Sequence, residues 1–213
     1  MMKKVSITMF AFMLCAACLA KDLMASDFKI VKKKGAITLS ERWITGAKNE
    51  SVRELKAEFL VKSNIDDVIS LLKNQSAGIK WNKNASLYKI ANSVNTNEWI
   101  NYIKYDMPAM FDDQECCLLY KAPVYSSANQ NGYIINFQSA KSSFFPPKSD
   151  VKRITGVNGQ WKLEMLANHF LKITYIISSD RSSNVPRFIS DPIVHNSLFT
   201  TMESFKNLLE DKA

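Results

Sequence analysis

The last stretch of the chain, Pro186–Leu209, reads PRFISDPIVHNSLFTTMESFKNLL and decides the fold. Val194, Leu198, Met202, Phe205 and Leu209 recur at steps of four, four, three and four, which places all five on one face of a helix. Glu203, Lys206, Asn207 and Glu210 fall on other faces and stay in water. Pro186 and Pro192 lie early, where a missing N–H costs least or a kink is tolerated. An apolar stripe this long needs a partner surface, and nearly everything upstream reads as strand. The expected class is α+β: a curved antiparallel sheet of about nine strands around a long C-terminal helix, with a cavity between them.

The upstream strands show their faces by alternation. Leu55, Ala57, Phe59 and Val61 face one way, and Lys56 and Glu58 the other. Ser63 is expected to cap a short helix carrying Ile65, Val68, Ile69 and Leu72 on one side, with Gly78 beyond its end and Trp81 following. Trp99, Asn101, Ile103 and Tyr105 share a face. Lys121 should point outward, which turns Gln114, Cys116, Leu118 and Tyr120 inward. Tyr133, Ile135 and Phe137 alternate with Ile134, Asn136 and Gln138, and Trp161, Leu163 and Met165 with Gln160, Lys162 and Glu164. Phe144-Phe145-Pro146-Pro147 reads as a loop, and His169–Ile177 ends the sheet. Short turns between so many strands imply antiparallel pairing.

At 213 residues with 46% apolar side chains, the chain suits one domain with a sizeable core. Lys3 and Lys4 precede an uncharged apolar run, Val5–Ala20, and small residues follow at Cys18, Ala20 and Ala25. Residues 1–25 are therefore expected to be a signal peptide and 26–213 the domain, exported to a periplasm or secreted. A lipoprotein cut before Cys18 is the weaker reading, because Cys15 stands where a leucine is expected. Losing the leader removes two lysines and no acid from residues 1–20 and lowers the formal charge from +8 to +6.

That charge is spread out. Lys32-Lys33-Lys34 is the only run and reads as a solvated strand edge, with weak attraction to anionic headgroups. No nucleic-acid partner is expected, and the chain is expected to be a monomer. Cys116 and Cys117 are neighbours on a strand, so they point to opposite faces and are not expected to bridge.

Reactive chemistry is sparse. His169 and His195 are the only histidines, with no ligand spacing around them, so neither a metal nor a cofactor is expected. Asp112, Asp113 and Glu115 cluster in or beside a loop and read as solvated. There is no Gly-rich phosphate loop and no G-x-S-x-G elbow.

A closed sheet of this size leaves room that one helix does not fill, and such room becomes an apolar site with a few polar groups. Its candidate lining from the sheet is Trp99, Asn101, Ile103, Tyr105, Gln114, Cys116, Leu118, Tyr120, Ile135, Phe137, Trp161 and Leu163. From the helix it is His195, Leu198, Phe199 and Met202. Asn101, Gln114, Tyr120 and His195 would orient a polar end. Met107, Met110 and Phe111 are candidates for transient membrane contact.

The series of elements resembles the steroidogenic acute regulatory protein-related lipid transfer (START) domains. The resemblance lies in the order strand, capped helix, Trp81, and in Met107-Pro108 before the Gln114 strand. It is sharpest from Gly159-Gln160-Trp161-Lys162-Leu163 through Ile173-Thr174-Tyr175 and Asn184-Val185-Pro186 to the last helix. It implies a helix-grip fold that holds one lipid or sterol in an interior tunnel and does not transform it. It also implies an entrance framed by Met107–Asp113 and the loop before Pro186. Gln114-Glu115 departs from the Arg-Asp pair usual in that family, which points away from an anionic headgroup and toward a neutral, sterol-like or hydrocarbon ligand.

Two rival readings stay open. Polyketide cyclases share this architecture, and Tyr120, His195 and Glu115 would then be the reactive groups. A ligand-free module presenting a surface to an envelope partner is the other.

Overall fold

The computed structural model describes residues 27–46, 49–93, 95–107, 112–124, 132–179 and 187–211, and of residues 187–189 the backbone alone. The expected leader, residues 1–25, and the proposed membrane-contact residues Met110 and Phe111 lie outside the described residues.

Three strands come first: β1 (Lys29–Lys34), β2 (Ile37–Thr45) and β3 (Ser51–Lys62). Two short helices follow, α1 (Ile65–Leu72) and α2 (Gln75–Trp81). Then come β4 (Ala85–Asn92), β5 (Glu98–Tyr105), β6 (Gln114–Lys121), β7 (Tyr133–Ser139), β8 (Lys152–Ile154), β9 (Asn158–Met165) and β10 (Phe170–Ser178). The chain continues as α3, Arg187–Glu210. Spatial order in the sheet is β1-β2-β3-β10-β9-β7-β6-β5-β4, every neighbour antiparallel. Only β8 departs from this, pairing with β6 in parallel. The α1–α2 segment carries the chain from β3 to β4 on the far edge, and β10 joins the two halves.

Local chemistry corrects three sequence expectations. The cap of α1 is Asn64, whose side chain accepts the Asp67 N–H at 2.8 Å; Ser63, one residue earlier, only donates its hydroxyl to Asp67 at 3.3 Å. Gly78 does not follow a helix but lies inside α2, which Asn74 caps by accepting the Ala77 N–H at 2.9 Å. The Tyr88 ring packs so closely there that a Cβ on Gly78 would lie 2.2 Å from it. His169 does not begin the last strand. It sits exposed in a 3-10 turn at φ +60°, and β10 starts at Phe170.

The inner face of the sheet carries the core. Leu55, Ala57, Phe59 and Val61 of β3, Ile135 and Phe137 of β7, Trp161 and Leu163 of β9, and Leu171 and Ile173 of β10 are all buried. Each such side chain contributes about 1.5–3 kcal/mol on burial. Toward the C-terminus of α3, Met202, Phe205 and Leu209 are fully buried in this core. Phe205 meets Trp81 edge-on at 5.0 Å and Trp161 at 4.7 Å between ring centroids. The other end of the stripe behaves differently. Val194 remains 36% exposed and its neighbour Ile193 38%.

The outer face is also covered over β5 and β6. Residues 140–150 fold across it and return as β8. Phe145 stacks on Tyr102 at 5.1 Å, and Glu115, expected in water, is completely buried. No described helix is long and apolar enough to cross a membrane.

Candidate functional site

A cavity of about 420 Å³ lies between the sheet and the N-terminal half of α3. Its volume falls within the range of small-molecule sites, roughly 300–1,000 Å³. From α3 it is lined by Ser190, Asp191, Ile193, Val194, Ser197, Leu198 and Thr201. One face of the helix thus serves two purposes. Its C-terminal side chains fill the core, and its N-terminal ones stop short and roof a hollow.

Trp81, Tyr105, Tyr120, Trp161 and Tyr175 make the lining aromatic, and two of them belong to a stack that runs on into the core. Trp99, Tyr120, Phe137 and Tyr175 stack in a row across the sheet, with centroids 5.1, 5.1 and 5.7 Å apart. β9 lies between β7 and β10 in this row and contributes Gly159, so Phe137 can reach over it toward Tyr175. Trp161 braces Tyr175 from the side at 4.4 Å.

Polar groups within the cavity are mostly neutral. Burial pushes the Tyr105, Tyr120 and Tyr175 phenols well above their ordinary range and the Cys116 thiol up to about 12, so all stay protonated. Asn82 donates to the Tyr105 hydroxyl at 3.4 Å. The charged groups of the lining include Arg53 and Asp191, which pair with each other. Arg53 meets Asp191 of α3 at 2.6 Å and Glu41 at 3.7 Å, while His195 meets Glu41 at 3.0 Å. This cluster ties the roof helix to β2 and β3. Asp113 accepts the Met107 N–H at 3.1 Å and pairs with Lys104 at 3.1 Å; these contacts hold its carboxyl below the usual range.

Of the residues expected at the site, Ile103, Tyr105, Gln114, Cys116, Leu118, Tyr120, Trp161 and Leu198 line the cavity. Trp99, Ile135, Phe137, Leu163, Phe199 and Met202 stand behind or beside it in the core. Asn101 is fully buried and donates to the Tyr88 hydroxyl, which in turn donates to the Leu72 carbonyl at 2.9 Å. It braces the wall behind the cavity. His195 is occupied by Glu41 and lies outside the lining. Met107 does line the cavity, while residues 108–111 and 180–186 of the two loops expected to frame the entrance lie outside the described residues.

Sequence reasoning missed Arg53, Trp81 and Tyr175, all lining residues. Arg53 and Tyr175 carried a signal, since they share parity with the inward residues of β3 and β10. Trp81 closes a seven-residue helix, too short to show a period.

Glu115, a reactive candidate in the cyclase reading, faces away from the cavity. Tyr102 donates to it, Arg153 Nε donates at 2.8 Å and the Lys148 N–H at 3.3 Å. Burial opposes its charge, but these donors outweigh burial and hold the carboxyl below its usual range.

The chain has a START-like helix-grip fold. A STAR-related lipid transfer protein from Xanthomonas axonopodis superposes with a TM-score of 0.72 at 17% identity, covering 85% of this chain and 98% of that one. Human StAR-related lipid transfer protein 5 gives 0.71 at 16% identity, with 86% of each chain covered. The Zhui aromatase/cyclase from Streptomyces shares the architecture more distantly, with a TM-score of 0.54 at 10% identity, over 75% of this chain and 94% of that one. In sequence, an uncharacterized protein of Pseudomonas aeruginosa is 18% identical over 193 residues, covering 91% of this chain and 92% of the relative. No family model matches the chain.

Proposed function

We propose that this protein is a non-catalytic carrier that holds one hydrophobic small molecule, a lipid or sterol-like compound, in the cavity beneath α3. The observation that carries this reading is the hollow itself: about 420 Å³, mostly apolar, walled by packed aromatics and roofed by the less buried half of one helix. Filling it would remove apolar surface of the guest from water at about 25 cal/mol per Å². The START-like neighbours support the ligand class through the fold they share. The leader-like N-terminus supports export, with loading in a periplasm or outside the cell, and the Met107 loop would meet the donor membrane.

The cyclase reading has weaker support. Of its three reactive candidates, Glu115 lies on the opposite face of the sheet, His195 is held by Glu41, and the Tyr120 phenol is displaced away from neutral pH. A general base works best with a pKa near the working pH.

The test is direct. The protein is purified from envelope extracts of its host without detergent, denatured in organic solvent, and the extract analysed by mass spectrometry. The expected result is one hydrophobic compound near one-to-one stoichiometry that comes back unchanged after incubation with the protein. Protein empty from every extract, and unable to take up an apolar fluorophore, would overturn the carrier reading.

A further inference from the structure

Four inward groups meet at one place in the cavity. Tyr105 comes from β5, Cys116 and Tyr120 from β6, and Tyr175 from β10. In the sheet, β10 is separated from β6 by β9 and β7, yet Tyr175 lies in the electrostatic field of Tyr120, Tyr105 and Cys116. The curl of the sheet brings them together.

Their hydrogen bonding is unequal. Tyr105 has Asn82, and the Tyr120 hydroxyl lies beside Trp161 and Asn101. Tyr175 lines the cavity and is nine-tenths buried, and its hydroxyl has no partner among the described residues. Trp161 and Phe137 clamp its ring. That hydroxyl is open to the hollow, where water can serve it. A guest that displaces the water leaves the hydroxyl unpaired, which is costly, and a fixed ring cannot turn to seek another partner, so the guest has to supply one.

The charge of that partner is restricted. Arg53 and Lys83 are the cations of the lining. Arg53 is held by Asp191 and Glu41, and Lys83 sits exposed at the rim. An ionised group carried to the tyrosines would lose its hydration and meet no counter-charge. An uncharged oxygen loses far less and gains a donor.

We propose that this tyrosine pole receives an uncharged oxygen, carbonyl or hydroxyl, at the buried end of the bound hydrophobe, with Tyr175 as the donor. The site would thereby choose a neutral ketone or alcohol over the carboxylate of equal chain length. This rests on the cavity being the ligand site.

Dodecane, 2-dodecanone, 1-dodecanol and dodecanoate, at neutral pH, are competed against Nile red bound to wild-type protein and to Tyr175→Phe. Wild type should prefer the ketone and the alcohol over dodecane on the order of tenfold, the scale of one good buried hydrogen bond. Dodecanoate should bind no better than dodecane. Tyr175→Phe should abolish the preference, so that ketone and alkane bind with equal affinity. Equal wild-type affinity for ketone and alkane, tightest binding by dodecanoate, or a preference that survives Tyr175→Phe would each overturn the tyrosine pole while leaving the cavity a ligand site. Failure of Nile red and all four competitors to bind would overturn both.

Discussion

Phe137 reaches across Gly159 to stack on Tyr175, with ring centroids 5.7 Å apart and planes 14° apart. Three strands take part, and the middle one contributes by having no side chain. A Cβ at Gly159 would stand 2.2 Å from Phe137 Cζ and 2.3 Å from the Ile176 carbonyl oxygen. The ring can swing aside, but the carbonyl belongs to the sheet. Gly159→Ala is therefore expected to destabilise by about 1–3 kcal/mol in urea titration, and Phe137→Leu added to it should recover only part of the loss. Unchanged stability in Gly159→Ala would show that the row does not depend on that gap.

The Glu115–Arg153 pair gives a prediction with a pH sign. Arg153→Met leaves a buried carboxylate without its cation and should cost about 3–5 kcal/mol at pH 7. The native carboxyl titrates below its ordinary value of about 4.3. The stabilisation is thus complete above that value and is lost as pH falls through the depressed native one. Thermal melts of wild type and Arg153→Met should converge as the pH falls through that depressed native value. A gap as wide at pH 3 as at pH 7 would refute the assignment.

Asp191 ties the roof helix to Arg53 at 2.6 Å, at a partly exposed site. Its removal should matter little to stability, within about 1 kcal/mol, because such pairs are screened. Its effect should appear in exchange. Asp191→Asn is expected to speed Nile red dissociation on the order of tenfold in stopped-flow measurement, with the melting temperature nearly unchanged. Identical dissociation rates would mean that guests leave by another route.

Cys116 lines the cavity, but burial has pushed its thiol up to about 12. At pH 8 the thiolate that reacts is therefore scarce. Iodoacetamide should therefore label Cys116 at the rate of unfolding, and urea should accelerate labelling in step with denaturation. Rapid labelling of the native protein would disprove this.

Where alternation is clear, as in Leu55–Val61 and Tyr133–Phe137, or a charge such as Lys121 fixes the parity, the inner face is legible from the chain alone, because strand parity depends on nothing distant. The roof helix was legible for the same reason. Its depth was not, since nothing local tells Val194 from Leu209; only the spread of the sheet makes one half exposed and the other buried. Asn101 and His195 were assigned to the ligand because they are polar on inward or helical faces. Tyr88 and Glu41 occupy them instead, across 13 and 154 residues of sequence, and no pattern announces such partners. Glu115 misled for a related reason. The Phe145 loop that covers it begins some twenty-five residues later.

That same segment works on both sides of the sheet. Arg153 is fastened to Glu115 outside, while Ile154, the next residue, and Val157 face the cavity. The inner wall is thus anchored by a bolt on the outer one, and a change at Arg153, which does not line the hollow, would be felt inside it.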